Sequence, residues 1–309
     1  MKIFIMGFLL LAALPTSAQE APSCYNGIDG PKEVADCLEG KAATINTELR
    51  KELKKTNDKL DAALTALEAL KEQFEKQLGH NKTIAGIEFV YVPKGCFLMG
   101  SDNEEDEKPP HDVCLDAFWM GKYEVTQGQW KAVMGDNPAW FKKGDHYPVE
   151  SVSWDMVQNF IRMLNRQSGK QFRLPTEAEW EYACRGNDGG EYCGGDDLDA
   201  LAWYAGNSKD STQPVGLKRP NGFGLHDMSG NVWEWCADWY KNDYYEDRPI
   251  PDNNPQGPSE GPHHVVRGGS WIFIAMGLRS AYRNTAYRNI VEPSFLYRNE
   301  GFRLVLPDL

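Results

Sequence analysis

Between residues 42 and 78 charged and apolar positions alternate at helical spacing, with no proline or glycine among them. That pattern predicts one long helix, on the order of 55 Å in length. A four-then-three spacing places Leu53, Leu60, Leu67 and Phe74 at d positions and Asn57, Leu64, Lys71 and Leu78 at a positions. Such a seam suits a coiled-coil stalk that joins copies of the chain into a homo-oligomer. In it, the polar Asn57 and Lys71 would favour one register by being left unpaired in any other. The same stripe, extended by Ile45, Leu49 and Leu70, also suits packing against the chain's own globular part.

Beyond residue 86 the pattern changes. Short β-type runs such as Glu88-Phe89-Val90-Tyr91-Val92 and Cys96-Phe97-Leu98-Met99 alternate with stretches rich in Gly, Pro, Asn and Asp, which predicts brief strands and long ordered loops. Two helices stand out. One runs over 153–165, opened by Ser153 and carrying Val157, Phe160, Ile161 and Leu164. The other runs over 176–185, where Thr176 and Glu179 have capping-box spacing. The expected organisation is a signal peptide (1–18), an N-terminal segment (19–41), a helical stalk (42–79) and one globular domain (86–309).

The segment 1–18 has Lys2, an apolar run and the small residues Thr16-Ser17-Ala18, the grammar of a secretory signal cleaved near Ala18. Its apolar run is shorter than the roughly 20 residues that span a bilayer, so no transmembrane anchor is expected in the mature chain. The predicted location is periplasmic or secreted. Seven cysteines in an exported chain favour disulfides with one thiol left over. Proximity pairs Cys24 with Cys37, Cys96 with Cys114 and Cys184 with Cys193, and leaves Cys236 as a buried thiol in an aromatic setting. The net charge of −12 excludes nucleic acid as a partner over most of the surface. The adjacent His263 and His264 point to opposite faces of an extended segment and make poor joint metal ligands. No nucleophile elbow or phosphate-cradling glycine loop occurs.

Five motifs follow one another: Tyr123-Glu124-Val125-Thr126, Leu174-Pro175-Thr176-Glu177-Ala178-Glu179-Trp180, Asn221 through Trp235, Arg267-Gly268-Gly269-Ser270-Trp271, and Gly301-Phe302-Arg303-Leu304. In this order they resemble the formylglycine-generating enzyme, or sulfatase-modifying factor, family. The resemblance implies a mixed α/β (α+β), loop-rich fold related to C-type lectins, here preceded by the long N-terminal helix. It also implies, for the family's oxidases, a copper(I) ion held by two cysteine thiolates just after the Arg-Gly-Gly-Ser motif. In this chain those positions are Phe273 and Leu278, which carry no donor atom for a soft metal, so no copper is expected and the list of catalytic residues is empty.

The resemblance further implies a structural calcium ion held by Asp227, Gly230, Val232 and Glu234, with carboxylate and carbonyl oxygens suited to a hard cation. A second calcium loop is shortened between Asn207 and Pro214. Around the vacant copper position, Trp271, Phe273, Leu278, Arg279, Tyr282 and Arg283 form a candidate binding cleft. It lies among three Tyr-Arg-Asn units at 282, 287 and 297, in which Arg and Tyr are the residue types that anchor interfaces. The arginines have a second reading, as internal partners of buried carboxylates. The expected function is a non-catalytic, exported binding or regulatory protein for a peptide, protein or other partner in the bacterial envelope, as in accessory proteins of type VI secretion signalling. A periplasmic tailoring oxidoreductase and a calcium-dependent lectin-like receptor are the alternatives.

Overall fold

The structure is a computed structural model that describes residues 30–78, 81–246, 248–249, 251–287 and 298–308. The predicted signal peptide and Cys24 lie outside the described residues, as do Arg288, Asn289 and Tyr297 of the Tyr-Arg-Asn units. The chain divides into two compact units that meet in sequence between Glu75 and Lys76.

The first unit is the helix α1, Pro31–Leu78, of 48 residues, about 72 Å at the usual rise. It begins at Pro31, well before residue 42. Proline fits the first helical position because its missing N–H would have no partner there. An interior glycine such as Gly40 costs only about 1 kcal/mol, too little to stop a helix of this length. Within this unit Leu38, Ile45, Leu49, Leu53, Leu60, Leu64 and Leu67 are all exposed. Leu38, Leu49 and Leu60 recur at eleven-residue intervals, as do Leu53 and Leu64. These intervals run alongside the expected seven-residue repeat, which Leu53, Leu60 and Leu67 keep; an interval of eleven keeps a stripe nearly parallel to the axis, at about 3.67 residues per turn.

The second unit is built from short strands. A first antiparallel sheet runs β1 (Asn81–Ile84), β2 (Ile87–Val92), β5 (Phe118–Gly121) and β11 (Val305–Pro307), so the C-terminal strand closes against the start of the unit. A second contains β3 (Gly95–Met99), β4 (His111–Leu115) and β7 (Asp252–Asn253). The third has the order β10 (Glu300–Gly301), β6 (Trp233–Trp239), β8 (His263–Arg267) and β9 (Asn284–Tyr287). In it β10 pairs parallel to β6 and the other neighbours are antiparallel.

Helices α2 (Gln127–Met134), α3 (Trp154–Ser168) and α4 (Glu177–Arg185) each begin at a hydroxyl cap, Thr126, Ser153 and Thr176, and each ends at a left-handed glycine. Both Thr caps form complete capping boxes, satisfying backbone donors that a helix leaves open at its start. The helix α3 lays Val157, Phe160, Ile161 and Leu164 into one core cluster, where Trp130 stacks on Phe160 at 5.1 Å and Phe302 meets Phe160 edge-on at 5.4 Å. A second cluster gathers Trp180, Tyr182, Met228 and Tyr245 around the sheet containing β3 and β4. Aromatic area of this kind compensates for the scarcity of long elements.

Disulfides join Cys96 to Cys114 across the β3–β4 pair, and Cys184 to Cys193 just past the end of α4, as proximity predicted. Cys37 is also disulfide-bonded. Two disulfides within the globular unit point to an oxidising, extracytoplasmic environment. Cys236 is free and buried. Burial, reinforced by Asp238 and Glu177, pushes its thiol well above the ordinary range, which leaves it neutral and unreactive. His264 lies between the rings of Trp239 and Trp154, at 3.8 and 4.2 Å, while its Nδ1 meets the Asp238 carbonyl. It is engaged in packing. No helix among the described residues is long and apolar enough to cross a membrane.

Candidate functional site

The functional end of the globular unit rests on buried ion pairs. Glu177 and Glu181 are four residues apart on α4 and therefore share a face. Arg283 grips Glu177 through two bonds of 2.8 and 2.9 Å, and Arg267 donates to Glu181 and, at 2.7 and 2.6 Å, to the carbonyls of Ala281 and Tyr282. Arg279 holds Glu107 at 2.6 and 3.0 Å, and Arg303 holds Glu234 at 2.6 Å through both of its carboxylate oxygens. Burial alone would raise the Glu177 carboxyl, but Arg283 and Arg267 hold it below its ordinary range. The pairs of Arg279, Arg283 and Arg303 are bidentate, the geometry a guanidinium is built for, whereas Arg267 divides its bonds between Glu181 and backbone carbonyls.

This arrangement sorts the predicted cleft residues. Arg279 and Arg283 are 5% and 4% exposed and committed to Glu107 and Glu177, so the internal reading of these arginines is the one the structure displays. Leu278 is fully buried, and Trp271, 7% exposed, donates its Nε1 to the Arg298 carbonyl at 3.0 Å. Phe273 and Tyr282 are half-buried and flank Trp233, with ring centroids 4.9 and 6.1 Å away. The two copper-ligand positions thus hold hydrocarbon, one in the core and one against an indole.

Three residues of the segment from Trp271 to Leu278 reach outward. Ile272, Ile274 and Met276 are 52%, 65% and 50% exposed, alternating with half-buried Phe273 and Ala275. Phe141 meets Trp271 edge-on at 5.3 Å, and its chain neighbour Trp140, also exposed, carries the Arg298 guanidinium over its ring at 3.5 Å. This apolar rim was not among the sequence candidates. Aliphatic residues at alternate positions in a segment otherwise read as a vacated metal loop were the available signal.

The predicted calcium loop is brought together around buried carboxylates. Asp227, held at positive φ, accepts the Gly216 N–H through Oδ2, while its buried Oδ1 has no hydrogen-bond partner. Glu124 accepts from Val232 N and Asn231 Nδ2. Burial raises Asp227 to about 6, and burial with Asp227 and Glu234 nearby raises Glu124 well above its ordinary value. Three carboxylates thus face one guanidinium, that of Arg303. Glu234 is less available, because Arg303 and Trp180 already occupy both of its oxygens. Among the described residues no three metal-capable side chains are arranged around a common point, so a cation here would draw on backbone carbonyls. Gly230 keeps φ +88, and a Cβ there would lie 2.3 Å from the Trp203 carbonyl, so only glycine lets this turn close.

Two further buried acids escaped the sequence reading. Asp238 accepts the Glu177 N–H at 2.8 Å and is raised to about 8 by burial and by Glu177. Glu300, 5% exposed on β10, is raised to about 8 by burial alone. Nothing local in the sequence marks them, since their burial is created by distant segments.

Arginines turned inward onto buried glutamates, in an α+β scaffold of short strands and long loops, define the class of fold. A family model described as a sulfatase-modifying factor enzyme 1-like domain matches residues 75–307. Chaperone protein LppX of Paenibacillus barcinonensis is 32% identical over 279 residues, covering 72% of this chain and 90% of that protein. The formylglycine-generating enzyme of Streptomyces coelicolor is 39% identical over 176 residues, but the match covers only 51% of this chain and 52% of the enzyme. Among solved structures, Treponema denticola variable protein 1 superposes with a TM-score of 0.67 at 30% identity, covering 74% of this chain and 98% of that one. The chain belongs to the sulfatase-modifying factor family.

The buried acids make stability fall with alkalinity. The fold holds Asp238 as the neutral acid among Glu177, Glu179 and Arg283, whereas the unfolded chain releases that proton in the ordinary carboxylate range. The stabilisation is therefore complete at low pH and is lost as pH rises toward about 8. Asp227 and Glu300 act in the same direction. The melting temperature is expected to fall between about pH 5 and about pH 9. Asp238→Asn, which keeps an acceptor for the Glu177 N–H, should flatten that slope, and an unchanged slope in differential scanning fluorimetry would refute the assignment.

Proposed function

We propose that this protein is an exported, non-catalytic binding module that uses the face vacated by the oxidases' copper centre to hold a protein or peptide of the bacterial envelope. The observation that carries the reading is the pair Phe273 and Leu278, whose hydrocarbon side chains stand where two thiolates would be needed and offer copper(I) no ligand. The exposed rim of Ile272, Ile274, Met276 and Trp140 supplies the apolar contact area such a partner would cover. A relative bearing the name chaperone protein, matched over 90% of its length, is in keeping with polypeptide binding. With the predicted signal peptide the setting is the periplasm, where an accessory role in type VI secretion signalling fits a domain of this kind without the copper thiolates.

A pull-down from envelope extract with the full chain should retain a specific partner that Ile274→Asp or Trp140→Ala releases. Stoichiometric copper retained after dialysis, with oxygen-dependent turnover of a cysteine peptide, would overturn the reading.

Calcium is proposed as a structural ion at Asp227, with the Gly230 and Val232 carbonyls completing its shell and Glu234 contributing only as far as Arg303 leaves it free. Its oxygen donors suit a hard cation, and the unpartnered Asp227 Oδ1 and the excess of carboxylate over guanidinium support it. Chelation is expected to lower the melting temperature of the wild-type chain and to leave Asp227→Asn unaffected. Equal melting with and without chelator would remove the ion.

The helix α1 is proposed to act as a spacer that self-associates along its stripe of exposed leucines, since a linear apolar stripe is matched by a second helix of the same kind. Sedimentation equilibrium of the chain lacking the signal peptide should give an oligomer, and Leu53→Glu with Leu60→Glu should return it to a monomer. A wild-type chain that sediments as a monomer rejects the spacer's self-association.

A further inference from the structure

Two buried polar groups stand side by side with nothing to bond. Glu300 and Trp233 are direct partners in the parallel pairing of β10 with β6, so their side chains leave the sheet on the same face. Trp233 is 2% exposed and its Nε1 has no hydrogen-bond partner, and the same is true of Oε2 of Glu300 at 5% exposure. Among the described residues no charged group contributes to the raised carboxyl of Glu300. The rings of Phe273 and Tyr282 lie against Trp233 and are half-buried, so the cluster extends to the surface. Buried polar groups in folded proteins are nearly always paired. One acceptor and one donor left open on one face call for a ligand with a donor and an acceptor set close together.

The surroundings select the sign of its charge. After burial, the groups that raise the Tyr282 hydroxyl include Asp106 and Glu104, against Arg279. Glu107 and Arg279 neutralise each other, and Glu104 is exposed. Arg279 already lies over the Tyr282 ring at 5.5 Å, so the preference for a cation comes from the chain's overall −12 and from the rings of Phe273 and Trp233.

We infer that Glu300, Trp233, Phe273 and Tyr282 form a recognition site for the free amino terminus of a polypeptide. The terminal ammonium has donors and no acceptor and is bound by Glu300, which releases its proton to solvent and becomes a carboxylate on binding, with the aromatic rings as its walls. The first peptide carbonyl, one residue away on the same backbone, accepts from Trp233 Nε1. A lysine side chain offers the ammonium without the neighbouring acceptor. The inference rests on the reading of this face as a binding surface and names the group bound there.

The test is titration of the full chain, followed by tryptophan fluorescence, with three probes: trialanine amide, its N-acetyl form, and N-acetyl-lysine amide. Trialanine amide is expected to bind saturably, and acetylation to weaken it at least about tenfold, as should Glu300→Gln. Glu300→Leu should melt at or above the wild-type temperature, because a carboxyl kept for a ligand contributes nothing to the fold. Absent binding, indifference to acetylation, undiminished binding by Glu300→Gln, or lysine amide binding as tightly as trialanine amide would each overturn the site, and so would a lower melting temperature for Glu300→Leu. Partner capture that Ile274→Asp abolishes but acetylation does not affect sinks only this inference, whereas copper-dependent thiol oxidation sinks the binding reading beneath it.

Discussion

Four guanidinium groups with almost no contact with solvent must each find a carboxylate, and the globular unit is arranged around that requirement. Arg267, Arg279, Arg283 and Arg303 come from the last third of the sequence; Glu107, Glu177, Glu181 and Glu234 come from a loop turn, a helix and a strand. Removing one member of such a pair leaves a bare charge in a poor solvent, at a cost of about 3–5 kcal/mol, against a net stability of about 5–15 kcal/mol for a whole domain. The pairs stitch α4 and the Glu105–Glu107 turn to the third sheet, and they fix where the loops between these elements begin and end.

That constraint also explains which parts could be read from the chain. The motifs at 174–180, 231–235, 267–271 and 301–304 contain both ends of the Arg303–Glu234 pair and one end each of two others, Glu177 and Arg267, so their order carries much of the fold although each is separately short. Helix starts were legible because a hydroxyl cap and a glutamate three residues on are local facts, as at Thr176 and Glu179. The disulfides across β3–β4 and beyond α4 join cysteines close in sequence. The start of α1 was misplaced because Gly40 reads as a breaker while its cost is small beside the rest of the helix. The helix α2 carries its Thr126 cap within a motif that drew attention for other reasons.

The site was legible only where chemistry is absent or local. Phe273 and Leu278 announce the missing donors by position, and the Asp227 loop by its spacing. The true assignment of Arg279 and Arg283 needed their partners, some 100 or more residues away in the chain. Glu300 looked like any acidic residue before a glycine. It becomes distinctive only when β10 seats it beside Trp233, with no charged partner named among the described residues.

The segment Trp271–Leu278 is tied down at each end and again at Phe273, whose carbonyl accepts the Ala205 N–H at 3.0 Å. The Trp271 N–H donates to the Asn231 carbonyl at 2.8 Å, and Ser229 Oγ donates to the Leu278 carbonyl at 2.9 Å. Clamped so, its outward residues resemble letters on a fixed page: they can be rewritten by mutation without disturbing the binding of the book. A lineage holding such a scaffold could diversify what it greets at the cell boundary by point changes alone, and a protein engineer could vary the same three outward places, 272, 274 and 276.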